Sequence, residues 1–229
     1  MRSTDAGRWL AAGAVLLVSA CSGPAPKPSV PMAEPPAAAA PGASAPPAAQ
    51  AAPAPMQAPD TSGDPGVAVK RQFAKAVKAM KDGKDEAAAA LFAAVAKEDP
   101  SLASPHTNLG ILYYREGRLD QAEAAFKEAL ERDAKDYVAA NYLGMIYRTE
   151  GRFTDAKAAY QQALAAKPDY ALAHLNMAIL YDLYTGELEQ ALDHYRQYQQ
   201  NGGANDPQLA GWLADLEQRI KERGGKGRP

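Results

Sequence analysis

Apolar side chains recur at helical spacing through most of the chain after residue 68. They return every three or four positions, which places them along one face of an α-helix. The order of residue types then repeats every 34 positions. The repeated positions are Leu109, Gly110, Tyr113, Gly117, Ala122, Phe126 and Ala129 in one block, and Leu143, Gly144, Tyr147, Gly151, Ala156, Tyr160 and Ala163 in the next. The pattern predicts an array of stacked helix pairs.

The residue types at these positions have a physical reason. Small residues such as Gly110 and Ala122 allow two helices to approach closely, and large ones such as Phe126 fill the remaining space. Glycine where a first helix ends tolerates the left-handed conformation that reverses the chain. Proline, as at Pro168, stops a second helix. A helix pair cannot cover its own apolar face, so stacking on a neighbour is what makes it fold.

Over residues 103–170 these positions resemble the tetratricopeptide repeat. The resemblance implies an all-α solenoid of about four helix-turn-helix repeats, at 69–102, 103–136, 137–170 and 171–205 within 66–205. The outer copies are weaker: Lys75 and Ala79 stand where leucine and tyrosine are expected. The fourth copy needs one extra residue, which we place in a longer turn at residues 182–186. Gln72, His106, Ala140 and His174 replace the family's tryptophan.

The chain after residue 205 predicts a capping helix over 206–223, followed by a frayed tail at 224–229. Asp206 is expected to be the N-cap and Pro207 the first helical residue. The apolar residues fall on one face at helical spacing: Leu209, Trp212, Leu213, Leu216 and Ile220. This helix is expected to cover the fourth repeat, with Trp212 in the core.

The first 20 residues predict a signal peptide. Arg2 and Arg8 precede a short apolar run at residues 10–18, which ends in small residues. The run closes on Cys21, the only cysteine, and this resembles the bacterial lipoprotein signal, in which the cysteine carries lipid after cleavage. The resemblance implies a palmitate-type anchor, and Ser22 after the cysteine suggests the outer membrane. Ordinary cleavage after Ala20 is the alternative.

Residues 22–65 have the composition of a tether. Of these 44 residues, 13 are proline and 14 alanine. Such a segment buries too little apolar surface to offset its ordering entropy, so we expect 21–65 to be a disordered proline- and alanine-rich linker behind the lipidated cysteine. It serves either as a stalk or as a linker without a length constraint.

Composition excludes several functions. A net charge of -2 argues against nucleic-acid binding by bulk charge, and a single cysteine with three histidines leaves little material for a metal site. No nucleophile–base arrangement or phosphate loop is present, so we expect no enzyme activity, no cofactor and no small-molecule substrate. Two rivals remain: an enzyme subunit, either catalytic or obligately activating, and a passive spacer.

In the tetratricopeptide family the first helices line a concave groove that holds a peptide. The corresponding residues here are Asn108, Ile111, Tyr114, Arg115, Asn141, Tyr142, Met145, Arg148, Asn176 and Ile179. Asparagine amides both donate and accept, so they suit a peptide backbone. Arg115, Arg148 and Lys70 make the groove basic, which suits acidic residues or a terminal carboxylate. Alternatively, the asparagines merely tolerate a half-exposed helix face.

These features together predict a lipid-anchored adaptor or scaffold. We expect it to bind a protein partner in the bacterial cell envelope, on the periplasmic side, and to help assemble or localise a complex there. Narrower possibilities are a lipoprotein of pilus or secretin assembly, an accessory of a proton-driven envelope motor, and a non-catalytic activator subunit. The membrane is reached only through the N-terminal lipid.

Overall fold

Helices make up nearly all of the described part of the chain. The computed structural model describes residues 66–226, with side chains as far as Gly224. The helices are α1 (Val67–Lys81), α2 (Asp85–Glu98), α3 (Ser104–Arg115), α4 (Leu119–Arg132), α5 (Tyr137–Thr149), α6 (Phe153–Ala166), α7 (Ala171–Ile179), α8 (Leu188–Gln200) and α9 (Leu209–Lys226). No strand occurs within these residues. The predicted all-α fold class is confirmed; the signal peptide and linker lie outside the described residues.

Consecutive helices pack as pairs, α1 with α2, α3 with α4, α5 with α6, and α7 with α8. The second helix of each pair also packs against the first helix of the next, and α9 packs on α8. The first helices α3, α5 and α7 are in addition neighbours of one another. Residues projecting from these three helices therefore lie on a common surface, which we call the first-helix face. None of the helices in the described range is long and apolar enough to cross a membrane.

Two glycines set the distance between paired helices. A Cβ atom on Gly110 would lie 2.6 Å from Cε1 of Phe126, and one on Gly144 would lie 2.5 Å from Cδ1 of Tyr160. Both aromatic rings are completely buried. The pairs α3–α4 and α5–α6 therefore pack at a distance that only glycine permits.

The turns between paired helices repeat one conformation. Each predicted turn glycine has a positive φ, between 70° and 75°: Gly83, Gly117, Gly151 and Gly186. Behind the glycine, a backbone amide reaches back into the first helix, as Arg152 N does to Tyr147 O at 2.8 Å. This hydrogen bond closes the last turn of the helix before the chain reverses.

The extra residue of the fourth repeat lies inside a helix rather than in a longer turn. Residues Leu180–Thr185 continue α7 as a π-helical turn, which ends at Gly186. Glu187 N donates to Tyr181 O at 3.0 Å, one residue further back than the equivalent bond in the third repeat. Because a π-helical turn holds one residue more than an α-helical turn, the insertion is absorbed without displacing α8.

The capping helix begins later than the sequence predicts. It starts at Leu209, while Asp206 and Pro207 precede it in extended and turn conformation. Asp206 still acts as a local cap, because its Oδ1 accepts from Gln208 N at 2.9 Å and its Oδ2 from Tyr198 OH at 3.2 Å. The predicted face is buried as expected for Leu209 and Leu216, and Trp212 lies half-buried against Tyr195, with ring centroids 5.8 Å apart. The helix also extends beyond its predicted end at residue 223, to Lys226.

Ion pairs at the surface join successive repeats, and the acidic and basic positions are exchanged between one interface and the next. Arg152 lies 3.5 Å from Glu123 of the preceding repeat. The equivalent positions one repeat later hold Lys157 and Glu187, whose charged atoms are 3.6 Å apart. Exposed pairs contribute little stability, about 0–1 kcal/mol each. Their reversed signs distinguish the two interfaces, because shifting one repeat against the wrong neighbour brings like charges together.

Candidate functional site

The residues predicted for the groove all lie on the first helices α3, α5 and α7. Arg115 is exposed and Tyr114 is half-buried. The other eight are buried: Asn108, Ile111, Asn141, Tyr142, Met145, Arg148, Asn176 and Ile179. The first-helix face thus combines buried amide, aromatic, aliphatic and cationic side chains.

The structure brings two of the three asparagines together. Asn176 Nδ2 on α7 donates to Asn141 Oδ1 on α5 at 3.0 Å, so this bond joins the third and fourth repeats. Asn141 Nδ2 lies 3.8 Å from the sulfur of Met145 on the next turn of its own helix. Asn108 is separate: its Nδ2 donates to Ser104 O within α3 at 2.8 Å.

Three side-chain oxygens on this face are buried without any hydrogen-bond partner among residues 66–226. They are Oδ1 of Asn108, Oδ1 of Asn176 and Oγ of Ser104. A buried acceptor without a donor costs about 1–3 kcal/mol, so a folded chain rarely retains several of them on one surface. A polypeptide backbone carries the N–H donors that these oxygens lack.

Tyrosines surround the centre of the face. The Tyr142 ring stacks on Phe126 of α4 with centroids 5.1 Å apart, and the Tyr114 ring meets it edge-on at 5.2 Å. Tyr142 therefore anchors α5 against the second repeat, in addition to its predicted place in the groove. Burial raises the pKa of Tyr114 and, more strongly, that of Tyr160. Both hydroxyls stay protonated at neutral pH.

The predicted groove cations have different environments. Arg115 forms an ion pair with Asp85 of the first repeat, Nη2 to Oδ2 at 3.2 Å. Arg148 is buried and has no carboxylate within ion-pair distance in the described part of the chain. Its guanidinium lies over the ring of Tyr184, 5.8 Å from the centroid. Burial without a counter-charge makes Arg148 the most unusual ionised group of the face.

Sequence reasoning missed the ion pair that closes the last repeat. Asp182, in the π-helical turn, binds Nη2 of Arg219 on α9, and Tyr195 OH is 3.5 Å from its other oxygen. The Asp182 side chain is only 4 % exposed. Helical spacing places Arg219 on the polar side of α9, so the available signal was an acidic residue on an otherwise apolar stretch.

Buried His174 and half-buried His194 form a pair in the fourth repeat. His174 Nε2 lies 2.8 Å from the carbonyl oxygen of Pro168, which only accepts, so this nitrogen carries the proton. His174 Nδ1 then accepts from Nδ1 of His194, 3.0 Å away. Burial, together with the charge of His174, lowers the pKa of His194 to about 4, against the weaker effect of Asp193. The pair links α7 to α8, and the lowered pKa keeps His194 neutral at pH 7, consistent with a structural role.

This pair predicts a loss of stability in mild acid. An unfolded histidine has a pKa near 6.5, whereas His194 in the folded chain has a pKa of about 4. Between these two pH values the unfolded chain binds a proton at this position and the folded chain does not. The free energy of unfolding is therefore expected to fall through this window, by about 1–2 kcal/mol because solvent screens the half-buried ring. Urea unfolding at pH 7.5 and 4.5 measures it. His194→Gln, which keeps a donor for His174, is expected to remove most of that slope; an unchanged slope contradicts the assignment.

The site contains no metal centre within the described residues, where no three histidine, cysteine, aspartate or glutamate side chains come together. His106 instead pairs with Glu128, Nδ1 to Oε2 at 2.9 Å, and burial lowers its pKa. The arrangement offers hydrogen bonding, aromatic contact and one buried cation. These are properties of a surface that recognises another molecule.

The chain is similar to known repeat proteins. The family model described as tetratricopeptide repeat matches residues 73–137, 107–171 and 143–210. A search of curated proteins finds no significant match.

Several solved structures are similar in fold. The pilF structure from Pseudomonas aeruginosa has a TM-score of 0.60 at 20% identity, covering 68% of this chain and 70% of that one. MamA from Desulfovibrio magneticus has a TM-score of 0.58 at 17% identity, covering 70% and 90%. A thermophilic repeat protein from Thermus thermophilus has a TM-score of 0.53 at 22% identity, covering 66% and 82%.

Proposed function

Because the chain belongs to the tetratricopeptide repeat family, we propose that it is a non-enzymatic adaptor that holds an extended polypeptide segment against its first-helix face. The family supports an adaptor or scaffold in protein–protein interaction, and the buried polar groups of the first-helix face support that face as the binding surface. The observation that carries the proposal is the set of buried oxygens on Asn108, Asn176 and Ser104, which have no donor among residues 66–226.

The chemistry of binding follows from these oxygens. Backbone N–H groups of an extended segment would satisfy the Asn108 and Asn176 acceptors, and each such bond removes a desolvation cost that the free protein bears. Tyr114, the half-buried ring of the face, gives the segment an apolar contact at the edge. Because the acceptors are buried, the contacts that cover them have to give way when the segment binds, so binding is coupled to a local rearrangement.

We further propose that the adaptor works in the bacterial cell envelope, anchored through lipid on Cys21. The support is in the sequence: a short apolar run precedes the single cysteine, and residues 22–65 have the composition of a tether. Two or more acyl chains on one cysteine give stable membrane anchoring, since each buried CH₂ contributes about 0.8 kcal/mol. The tether would allow the repeats to meet a partner at a distance from the membrane.

Replacing the three asparagines tests the adaptor proposal. In the variant Asn108→Ala, Asn141→Ala, Asn176→Ala, partner recovery from cells that express the full chain is expected to fall at least about tenfold, as the loss of about 1.4 kcal/mol predicts. The variant loses the Asn176–Asn141 bond, so a stability loss of about 1 kcal/mol is expected. Capture is therefore measured well below the melting temperature, with partners quantified by mass spectrometry.

A matched control separates this effect from a general surface change. Gln161, Gln190 and Gln199 are exposed amides on the second helices α6 and α8. The triple alanine variant at these positions removes the same number of amides and is expected to capture the same partner at the original level. Undiminished capture by the asparagine variant, with equal helicity, would show that the first-helix face is not the binding surface.

The anchor has its own test, independent of partner binding. Cys21→Ser removes the atom that would carry lipid, so the protein is expected to move from the membrane fraction to the soluble envelope fraction. Metabolic labelling with a palmitate analogue, followed by fractionation, measures both properties together. A variant at Ser22, Ser22→Ala, leaves the cysteine in place and serves as the control. Continued membrane retention of Cys21→Ser would contradict the anchor.

A further inference from the structure

Arg148 has no carboxylate partner within residues 66–226, whereas Arg115, another groove cation, pairs with Asp85. Arg148 is only 6 % exposed, and its Nη1 has no hydrogen-bond partner among the described residues. Leaving a guanidinium buried without a carboxylate costs several kcal/mol relative to water, so such a group is rarely retained without a use. The position lies on the last turn of α5, on the first-helix face.

Asp182 carries a carboxylate that could neutralise Arg148, but it binds other residues. Asp182 occupies the equivalent position 34 residues later, in the neighbouring first helix. One of its oxygens binds Arg219 of the capping helix, and Tyr195 OH lies 3.5 Å from the other. The capping helix thus engages the acidic group of this region and leaves the Arg148 charge unmatched.

The surroundings of Arg148 suit a carboxylate. The Tyr184 ring lies 5.8 Å from the guanidinium carbon, and the Tyr160 hydroxyl is buried without a partner in the described part of the chain. Burial raises the pKa of Tyr160, and the charge of Arg148 only partly offsets that increase. Tyr160 therefore remains a hydrogen-bond donor close to Arg148, and a carboxylate next to both groups would accept from a guanidinium and a phenol.

We propose that Arg148 is the specificity residue of the first-helix face and that it receives the carboxylate of an aspartate or glutamate side chain in the bound segment. This inference rests on the proposed function and names the chemistry of the partner. The acid belongs to a side chain because α5 lies between α3 and α7. A segment lying across the three helices continues on both sides of Arg148, which places a chain end away from it.

The test uses the full chain and a displayed library of random twelve-residue peptides joined at their C-termini to the display protein. No peptide then has a free terminal carboxylate, so an acidic preference reports side chains alone. The wild-type chain is expected to enrich aspartate and glutamate at one aligned position at least about fivefold, which is about 1 kcal/mol. Arg148→Met, of similar length but uncharged, is expected to lose this enrichment.

Arg118→Met is the matched control, because Arg118 lies in the exposed turn between α3 and α4. It is expected to enrich the same acidic peptides as the wild-type chain. The free Arg148→Met protein is expected to melt at or above the wild-type temperature, since it loses an uncompensated charge. A merely structural arginine would instead lower the melting temperature when replaced.

Each remaining outcome counts against the inference. Enriched peptides without an acidic position, or with the same acidic position in Arg148→Met, overturn the role of Arg148 and leave the adaptor proposal standing. Failure of every variant, including the wild type, to enrich any peptide overturns both. A lower melting temperature for Arg148→Met, together with unchanged peptide preference, assigns Arg148 to the fold.

Discussion

Gly144→Ala is expected to lower the free energy of unfolding by about 2 kcal/mol, although alanine is the better helix former. A methyl group at this position would lie 2.5 Å from Cδ1 of Tyr160, well inside van der Waals contact. The Tyr160 ring is completely buried and has no space to withdraw. Helices α5 and α6 therefore have to separate, and the contacts of the third repeat loosen along both.

The size of this loss follows from comparing the repeats. The first and fourth repeats carry alanine at the equivalent position, as Ala76 and Ala178, and both are completely buried. Alanine is thus compatible with the fold where the helix pair is spaced for it. In the third repeat the pair is closer, so the substitution forces a rearrangement of packing rather than simple unfolding. Overpacking of this kind costs typically about 1–3 kcal/mol.

Chemical unfolding of the full chain at neutral pH measures the effect. Gly211→Ala is the control, because Gly211 lies in α9 with nothing within 4 Å of an added Cβ. There the helix propensity acts alone, and stability is expected to rise by up to about 1 kcal/mol. Two glycine-to-alanine changes in helices then have opposite signs. Gain of stability at both positions would refute the close approach of α5 and α6.

Arg219→Met is expected to lower the free energy of unfolding by about 2 kcal/mol. The substitution leaves the Asp182 carboxylate, 4 % exposed, without the guanidinium that binds it. The arginine itself is 36 % exposed, so solvent screens part of the interaction and the loss is smaller than for a fully buried pair. The capping helix should loosen first, because this ion pair joins it to the π-helical turn.

Two further variants identify the cause of the stability loss in Arg219→Met. Asp182→Asn combined with Arg219→Met removes both charges, and it is expected to recover part of the lost stability. Arg196→Met breaks an exposed pair with Glu217, 2.9 Å apart, which joins α9 to α8, and is expected to change stability by less than about 0.5 kcal/mol. Equal losses for Arg219→Met and Arg196→Met would contradict the special position of Asp182.

The 34-residue period predicted the helix pairs because each pair has the same local requirements. Glycine at the turn, alanine at the crossing and an aromatic residue opposite are needed in every copy, as at Gly151, Ala156 and Tyr160. These requirements are satisfied by residues close in sequence. The 34-residue period therefore predicts the array of helix pairs, including the one-residue register shift in the fourth copy.

Interactions between repeats are not periodic, and the sequence did not predict them. Asn108 and Asn176 occupy the same repeat position, yet only Asn176 bonds to an asparagine of the preceding repeat. The corresponding neighbour of Asn108 is Phe73, whose side chain cannot accept a hydrogen bond. Asn108 therefore turns to Ser104 in its own helix. Such differences depend on which two residues meet across an interface, and this is a property of the assembled stack.

The start of the capping helix shows a second reason why the sequence did not predict every feature of the fold. Asp206 and Pro207 have the residue types of a helix start, and the side chain of Asp206 does accept a local backbone bond. The helix nevertheless begins at Leu209. The contact of Asp206 with Tyr198 ties this segment to α8, at 3.2 Å, and the tertiary contact competes with the local signal.

Site-specific photocrosslinking tests the central claim, that the first-helix face binds the partner, most directly. A benzophenone amino acid replaces Tyr114, the half-buried residue of α3 at the edge of the face, or Gln161, an exposed residue of the second helix α6. On irradiation of intact cells, the account predicts a crosslinked partner from position 114 and none from position 161. Crosslinks from position 161 alone would place the partner on the second helices and contradict the account.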